Sequence, residues 1–167
     1  MKQIISEAPI LKYFDPKADT ELQCDASDKG LGACLMQEGQ PVAYASRAMT
    51  DAEVNYAQIE KELLAIVFGV EQFEQYVHGR PVKIETDHKP LESIFKKSLI
   101  SAPKRLQRMM LRLQKYNLTV VYKKGSEMYL ADTLSRAFIQ SSRNEDIMRG
   151  EVAKGTKYKH GPVPSCL

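Results

Sequence analysis

Ile59, Leu63, Ile66, Val70, Phe73 and Val77 recur at alternating spacings of four and three, the period of one apolar face of an α-helix. The stripe predicts a single helix from about Asp51 to Val77. Thr50, with Glu53 three residues on, supplies a capping box at its start, and Gly79 and Pro81 stop it. A strand-like run, Glu21-Leu22-Gln23-Cys24, lies ahead of this helix, and another, Val82-Lys83-Ile84-Glu85-Thr86, follows it. Strands joined through so long a helical crossover can lie side by side and parallel. That one relation restricts the fold more than any other feature of the chain.

The remaining segments fill in around it. Residues 20–47 predict a three-strand meander, with turns at Asp28-Lys29-Gly30 and Glu38-Gly39 and strands over Gly30–Gln37 and Pro41–Arg47. After the fourth strand come a short helix at Pro90–Phe95 and a helix from Pro103 to about Tyr116 with Leu106, Met110 and Leu113 inward. A fifth strand at Leu118–Lys123 and a last helix at Leu130–Ala137 complete the pattern. The expected class is α/β: a five-stranded mixed sheet flanked by helices, the first three strands antiparallel and the last two parallel to the first. One domain over 17–137 is expected, with 1–16 as a lead-in segment and 138–167 as a polar, aperiodic tail left disordered.

Four acids mark the chemistry. Asp25 closes the first strand, Asp87 closes the fourth, Glu62 lies in the long helix and Asp132 near the start of the last one. Neighbouring parallel strands would bring Asp25 and Asp87 out together at their carboxyl ends, where open α/β sheets hold ligands. Carboxylates gathered from such distant positions repel one another unless a cation holds them, and a hard divalent ion bound through oxygens meets that need. On the helix, Glu60 and Glu62 flank opposite sides of the apolar stripe, and periodicity alone does not choose between them.

Charge is unevenly spread. Ser93 to Lys124 holds nine basic residues and no acid, whereas Asp51 to Glu92 holds nine acids against four Lys or Arg. A phosphate grip beside a metal site suits that division. Arg105, Arg108, Arg112 and Lys115, at spacings of three, four and three, form a basic stripe that would track a phosphate backbone; a solvated helix face explains it equally well on pattern alone. Cys24, Cys34 and Cys166 make no CxxC pair and have no histidine at zinc spacing. Cys24 and Cys34 are expected as a buried thiol pair of a reducing compartment. The longest apolar run, Leu63 to Val70, is too short to span a bilayer, and the opening lacks a signal-peptide pattern. An intracellular protein, cytoplasmic or nuclear, is the expectation.

Five stretches carry a resemblance: Cys24-Asp25-Ala26-Ser27-Asp28-Lys29-Gly30-Leu31-Gly32-Ala33, Tyr44-Ala45-Ser46-Arg47, Asn55-Tyr56 with Glu60-Lys61-Glu62-Leu63-Leu64-Ala65-Ile66, Thr86-Asp87-His88-Lys89-Pro90-Leu91, and Ala131-Asp132-Thr133-Leu134-Ser135-Arg136. In order and covering most of the chain, they resemble the ribonuclease H domain of a gypsy-type LTR-retrotransposon reverse transcriptase. The resemblance implies a ribonuclease H-like fold and a carboxylate quartet, Asp25, Glu62, Asp87 and Asp132, holding two Mg²⁺ ions, with Mn²⁺ able to substitute. It places the ligand at Glu62 rather than Glu60. It also implies hydrolysis of the RNA strand of an RNA–DNA hybrid to a 5′-phosphate and a 3′-hydroxyl, by in-line displacement. Recognition of RNA would come through the 2′-hydroxyl. Ser27, Arg105, Arg108, Arg112 and Lys115 become candidate nucleic-acid contacts, and His88 a weaker neighbour of the site.

One departure stands out: no histidine lies between Val120 and Asp132, where many cellular and retroviral relatives carry one. The opening Lys2 to Pro9 resembles the end of the connection to a polymerase, so a polyprotein fragment is expected, with the polymerase supplied by the parent element. The competing reading is a non-catalytic hybrid-binding or tethering module that keeps the fold. A sheet-based ATPase would need a Gly-rich phosphate loop, which the chain lacks.

Overall fold

The computed structural model describes residues 10–137. Five strands form one sheet in the order β3-β2-β1-β4-β5: β1 (Thr20–Ala26), β2 (Gly30–Gln37), β3 (Gln40–Ala48), β4 (Pro81–Thr86) and β5 (Asn117–Tyr122). β1 and β2 pair antiparallel, as do β2 and β3, while β4 runs parallel to β1 and β5 parallel to β4. This is the mixed sheet expected from the sequence. Glu38 and Gly39, with φ of 52° and 74°, turn β2 into β3; two successive left-handed residues match the twist of the flanking strands.

The long helix is where expectation and structure part. The stretch 51–77 is three helices: α1 (Asp51–Val54), α2 (Gln58–Gln72) and α3 (Glu74–Val77). The capping box at Thr50 forms, with Glu53 N donating to Thr50 Oγ1 at 3.3 Å and Thr50 N to Glu53 Oε2 at 2.8 Å. It caps only one turn, however. Asn55 ends α1, its side chain bonding back to the Asp51 carbonyl, and Ala57 is extended at φ −60°, ψ 153°. A second start follows, in which Glu60 Oε2 accepts from Ala57 N at 3.0 Å. The apolar stripe runs unbroken through Phe73 because the chain keeps the same face inward across the α2–α3 junction. Three further α-helices follow among the described residues: α4 (Lys89–Lys96), α5 (Lys104–Leu113) and α6 (Tyr129–Arg136). No helix among the described residues is long and apolar enough to cross a membrane.

Helices cover both faces. On one, α2 presses on β1 and β2: a Cβ at Gly69 would stand 3.0 Å from Ala33 Cβ and from Cys24 Sγ. Leu22, Leu63, Ile66, Val70 and Ile84 are fully buried there. On the other face α6 lies across β2 at Gly32, where a Cβ would meet the Ala131 carbonyl oxygen and Ser135 N at 2.5 Å. Cys24 pairs with Ala33, and Cys34 with Gln23, so this one-residue offset sends the two thiols to opposite faces. Both are free and buried, and burial pushes the Cys34 thiol up to about 12.

Of the lead-in expected over 1–16, residues 10–16 are described. Lys12 N bonds the Pro41 carbonyl, and Phe14 packs on Tyr76 with ring centroids 4.9 Å apart. The tail expected over 138–167, with Cys166, lies outside the described residues.

Because backbone atoms, not flexible side chains, fill the space at Gly32, Gly32→Ala must push α6 off the sheet. Its expected cost is about 1–3 kcal/mol, read as a lower urea midpoint; an unchanged midpoint would show that α6 is not seated through this contact.

Candidate metal centre

Parallel pairing of β1 with β4 sets Gln23 beside Glu85. Two residues further on stand Asp25, still within β1, and Asp87, one residue past the end of β4. Glu62 enters from the second turn of α2, whose N-terminus lies over the carboxyl end of the sheet. One carboxylate oxygen from each of Asp25, Glu62 and Asp87 lies within 4.8 Å of the others. Asp25 and Glu62 are buried, and Asp87 is exposed.

Electrostatics reflect the crowding. Burial, then the neighbouring Asp25 and Asp87 charges, push the Glu62 carboxyl up to about 8, against a lowering contribution from Gln58. Gln58 Nε2 donates to Glu62 Oε1 at 2.6 Å. The other oxygen, Glu62 Oε2, is buried with no hydrogen-bond partner, an expensive state for a polar atom. Burial also raises Asp25, opposed by a hydrogen bond from Ser135 and reinforced by Asp87 and Asp132. A divalent cation would relieve both the repulsion and the orphaned oxygen, so this donor set fits a hard metal.

Asp132 is the fourth acid foreseen, and it stands apart from the three. Its side chain is 44% exposed and pairs with Arg136, one turn along α6, at 2.8 Å. Its charge contributes to raising Asp25, and it does not join the three acids whose ligand oxygens lie within 4.8 Å of one another. Glu60, the rival on the helix, faces elsewhere: it holds the start of α2 through Ala57 N and pairs with Arg105 Nη1 at 2.8 Å.

The foreseen nucleic-acid contacts divide. Arg105 also stacks over the Tyr56 ring at 4.2 Å. Arg112 makes a two-pronged pair with Glu71, at 2.9 and 2.6 Å, and Lys115 binds Glu74 at 2.8 Å. Arg105 and Arg112 therefore clasp α5 to α2, and Lys115, two residues past the end of α5, pairs with Glu74 of α3. Arg108 is exposed and has no ion pair among the described residues. Ser27 Oγ donates to the Ser135 carbonyl at 2.6 Å and accepts from Gly30 N at 3.1 Å, closing the β1–β2 turn on α6. His88 N bonds Thr86 Oγ1. The sequence does signal the clasp, because Glu60, Glu71 and Glu74 share the outer face of the preceding helices; a stripe read on one helix alone misses it. Two residues were not foreseen at the site. Gln58 was visible in principle at i−4 from Glu62, once the second helix start is placed. Ser135 had no local signal.

Known proteins share the family and the fold. The family described as the RNase H-like domain found in reverse transcriptase matches residues 15–116. The Retrovirus-related Pol polyprotein from transposon 297 of Drosophila melanogaster is 39% identical over 146 residues, covering 87% of this chain and 14% of that protein. The one from transposon gypsy of the same organism is 39% identical over 143 residues, 85% of this chain and 14% of the other. The chain thus spans about one seventh of these curated relatives. Among solved structures, the foamy viral protease-reverse transcriptase in complex with RNA/DNA hybrid has a TM-score of 0.59 at 19% identity, over 95% of this chain and 20% of that one. LC11-RNase H1 in complex with RNA/DNA hybrid has a TM-score of 0.57 at 13% identity, over 74% of this chain and 96% of that one. At such identities the structures show a shared RNase H fold.

The raised Glu62 makes a pH prediction. Its folded pKa of about 8 exceeds the ordinary 4.5, so the folded state holds the extra proton between those values. The contribution of Glu62 to metal-free stability therefore falls as pH rises from about 4.5 to about 8. With a chelator present, Glu62→Gln should raise the urea midpoint at pH 9 and leave it nearly unchanged near pH 4.5. Glu60→Gln, whose amide oxygen can still accept from Ala57 N but which loses the ion pair to Arg105, should lower the midpoint slightly at pH 9 and never raise it. Equal behaviour of the two variants would mean that Glu62 bears no special repulsion.

Proposed function

The chain belongs to the family of RNase H-like domains found in reverse transcriptase, and we propose that it is the metal-dependent endonuclease unit of a retrotransposon polyprotein, hydrolysing the RNA strand of RNA–DNA hybrids. One observation carries the reading: three carboxylates, from β1, α2 and the bend that follows β4, have ligand oxygens within 4.8 Å of one another, and one buried Glu62 oxygen has no hydrogen-bond partner. A fold alone does not give an activity; a strained cluster of acids at the carboxyl end of a parallel strand pair is the site that a nuclease needs.

Asp25, Glu62 and Asp87 would hold the divalent ions, Mg²⁺ or Mn²⁺, with Asp132 completing the set. When bound, a pair of such ions supplies Lewis acidity, activating water for in-line attack and neutralising charge on the departing 3′ oxygen. The chain's own residues do the rest. Gln58 holds one oxygen of Glu62 and leaves the other without a hydrogen-bond partner. Asp87, the exposed member, faces the open side of the crevice from which a substrate strand would enter. Of the α5 stripe, Arg108 is the cation left available to a phosphate; Arg105, Arg112 and Lys115 are occupied in holding the helices together. We assign this unit to residues 17–137, and assign the polymerase that would work beside it to the parent element.

Cleavage of a labelled RNA strand in a hybrid, with the same RNA single-stranded as control, tests the proposal. Asp25→Asn and Glu62→Gln should fold and still bind hybrid while losing nearly all Mg²⁺-dependent cleavage, and Glu60→Gln should keep substantial activity. A wild-type chain that binds hybrid yet stays inert with either Mg²⁺ or Mn²⁺ would instead be a tethering module.

Binding makes a separate prediction. Arg108→Ala should reduce the salt slope of hybrid binding by about one counterion's worth. Arg112→Ala should lower stability by up to about 1 kcal/mol, as exposed pairs do, and leave that slope alone. The reverse pattern would make the clasp, rather than Arg108, the phosphate contact.

A further inference from the structure

We infer that Ser135 is a positioning residue for Asp25, holding its carboxylate in the orientation that the divalent-ion site requires and tying that orientation to the seat of α6. The inference rests on the hydrolytic reading above. Ser135 is fully buried, and its Oγ donates to Asp25 Oδ2 at 2.6 Å across 110 residues of chain. A hydroxyl has one proton to give, and here the shorter of its two contacts is to the carboxylate, the other being the Asp132 carbonyl at 2.9 Å. One oxygen of Asp25 is thereby fixed, as outer hydrogen bonds fix the ligands of metal sites.

Ser135 is itself held from the opposite direction. Two residues after Asp25, Ser27 Oγ donates to the Ser135 carbonyl at 2.6 Å. The segment from Asp25 to Ser27 and the single residue Ser135 therefore exchange two hydrogen bonds, one each way, and form a two-point clamp. Ser46 Oγ donates to the adjoining Leu134 carbonyl at 2.5 Å, and the missing Cβ at Gly32 lets the helix backbone come down on β2. These contacts satisfy carbonyls at the end of α6 that would otherwise lack partners. Asp132 sits three residues before Ser135 on the same helix, so the clamp also sets where the fourth acid stands relative to the first.

A hydroxyl that only satisfies buried carbonyls would behave like Ser46, and this supplies the control. The measurements are Mn²⁺ affinity of the full chain by electron paramagnetic resonance, and the urea midpoint in chelator. Ser135→Ala should weaken Mn²⁺ binding at least about tenfold. Ser46→Ala should lower the midpoint and leave Mn²⁺ affinity at the wild-type value. Ser135→Cys, close in size with a weaker donor, should give an intermediate loss, and carries the test if the alanine variant fails to fold. Wild-type affinity in both Ser135 variants, or an equal loss in Ser46→Ala, would overturn the inference while leaving the nuclease reading intact. A wild-type chain that binds no Mn²⁺ would overturn both.

Discussion

Because β1 and β4 run parallel, the chain must cross the sheet between them, and the helix that makes the crossing delivers a third acid to the place where the two strands end. Asp25 and Asp87 are neighbours through strand pairing, and Glu62 joins them because α2 begins over the same sheet edge. The arrangement costs stability: like charges crowd and Glu62 is forced toward its neutral form. The fold tolerates this because the strain is confined to one end of the sheet, while Leu22, Ile66, Val70 and Ile84 pack without conflict behind it.

Glu85 shows how the same strand treats an acid that it intends to satisfy. It is as buried as Glu62, at 2% exposure, and lies two residues before Asp87. Burial raises its pKa, but Lys123, Lys83 and Gln23 bind it and bring it below the ordinary value. Lys123 Nζ stands 2.8 Å from its carboxylate, and Gln23 Nε2 3.0 Å. Glu62 has one amide partner, Gln58, on one oxygen and no formed hydrogen bond on the other, and the backbone N–H of Ala26 lowers its pKa only as the smallest contribution. Partner supply, rather than depth of burial, separates a structural carboxylate from one left poised for a cation.

The meander, the pairing of β1 with β4, the strand directions and the placement of Asp25 beside Asp87 were legible because alternation and strand-end acids are local signals that topology then multiplies. The break at 55–57 was not legible. Hydrophobic period reports which face is buried and is blind to an interruption that lies before the apolar stripe begins. Glu60 and Glu62 were indistinguishable by period because they flank opposite sides of the stripe; the family resemblance favoured Glu62, and in the structure Glu62 joins the acid cluster while Glu60 caps the second helix start. The basic stripe of α5 was read correctly as a face and incompletely as a surface, since its partners on Glu60, Glu71 and Glu74 come from an inter-helix contact that no single helix reveals. Ser135 lies beyond any such reading: its partner is 110 residues away.

The one-residue offset between Cys24 and Cys34 has a practical consequence. Cys24 sits beneath α2, in contact with the space at Gly69, and Cys34 lies on the face that α6 covers, two residues along β2 from Gly32. Both thiols are buried and held protonated well above their ordinary range, which makes them inert to alkylation while the helices stay down. Each is thus a chemical reporter for a different half of the sandwich, and the order in which they become reactive records which layer lifts first.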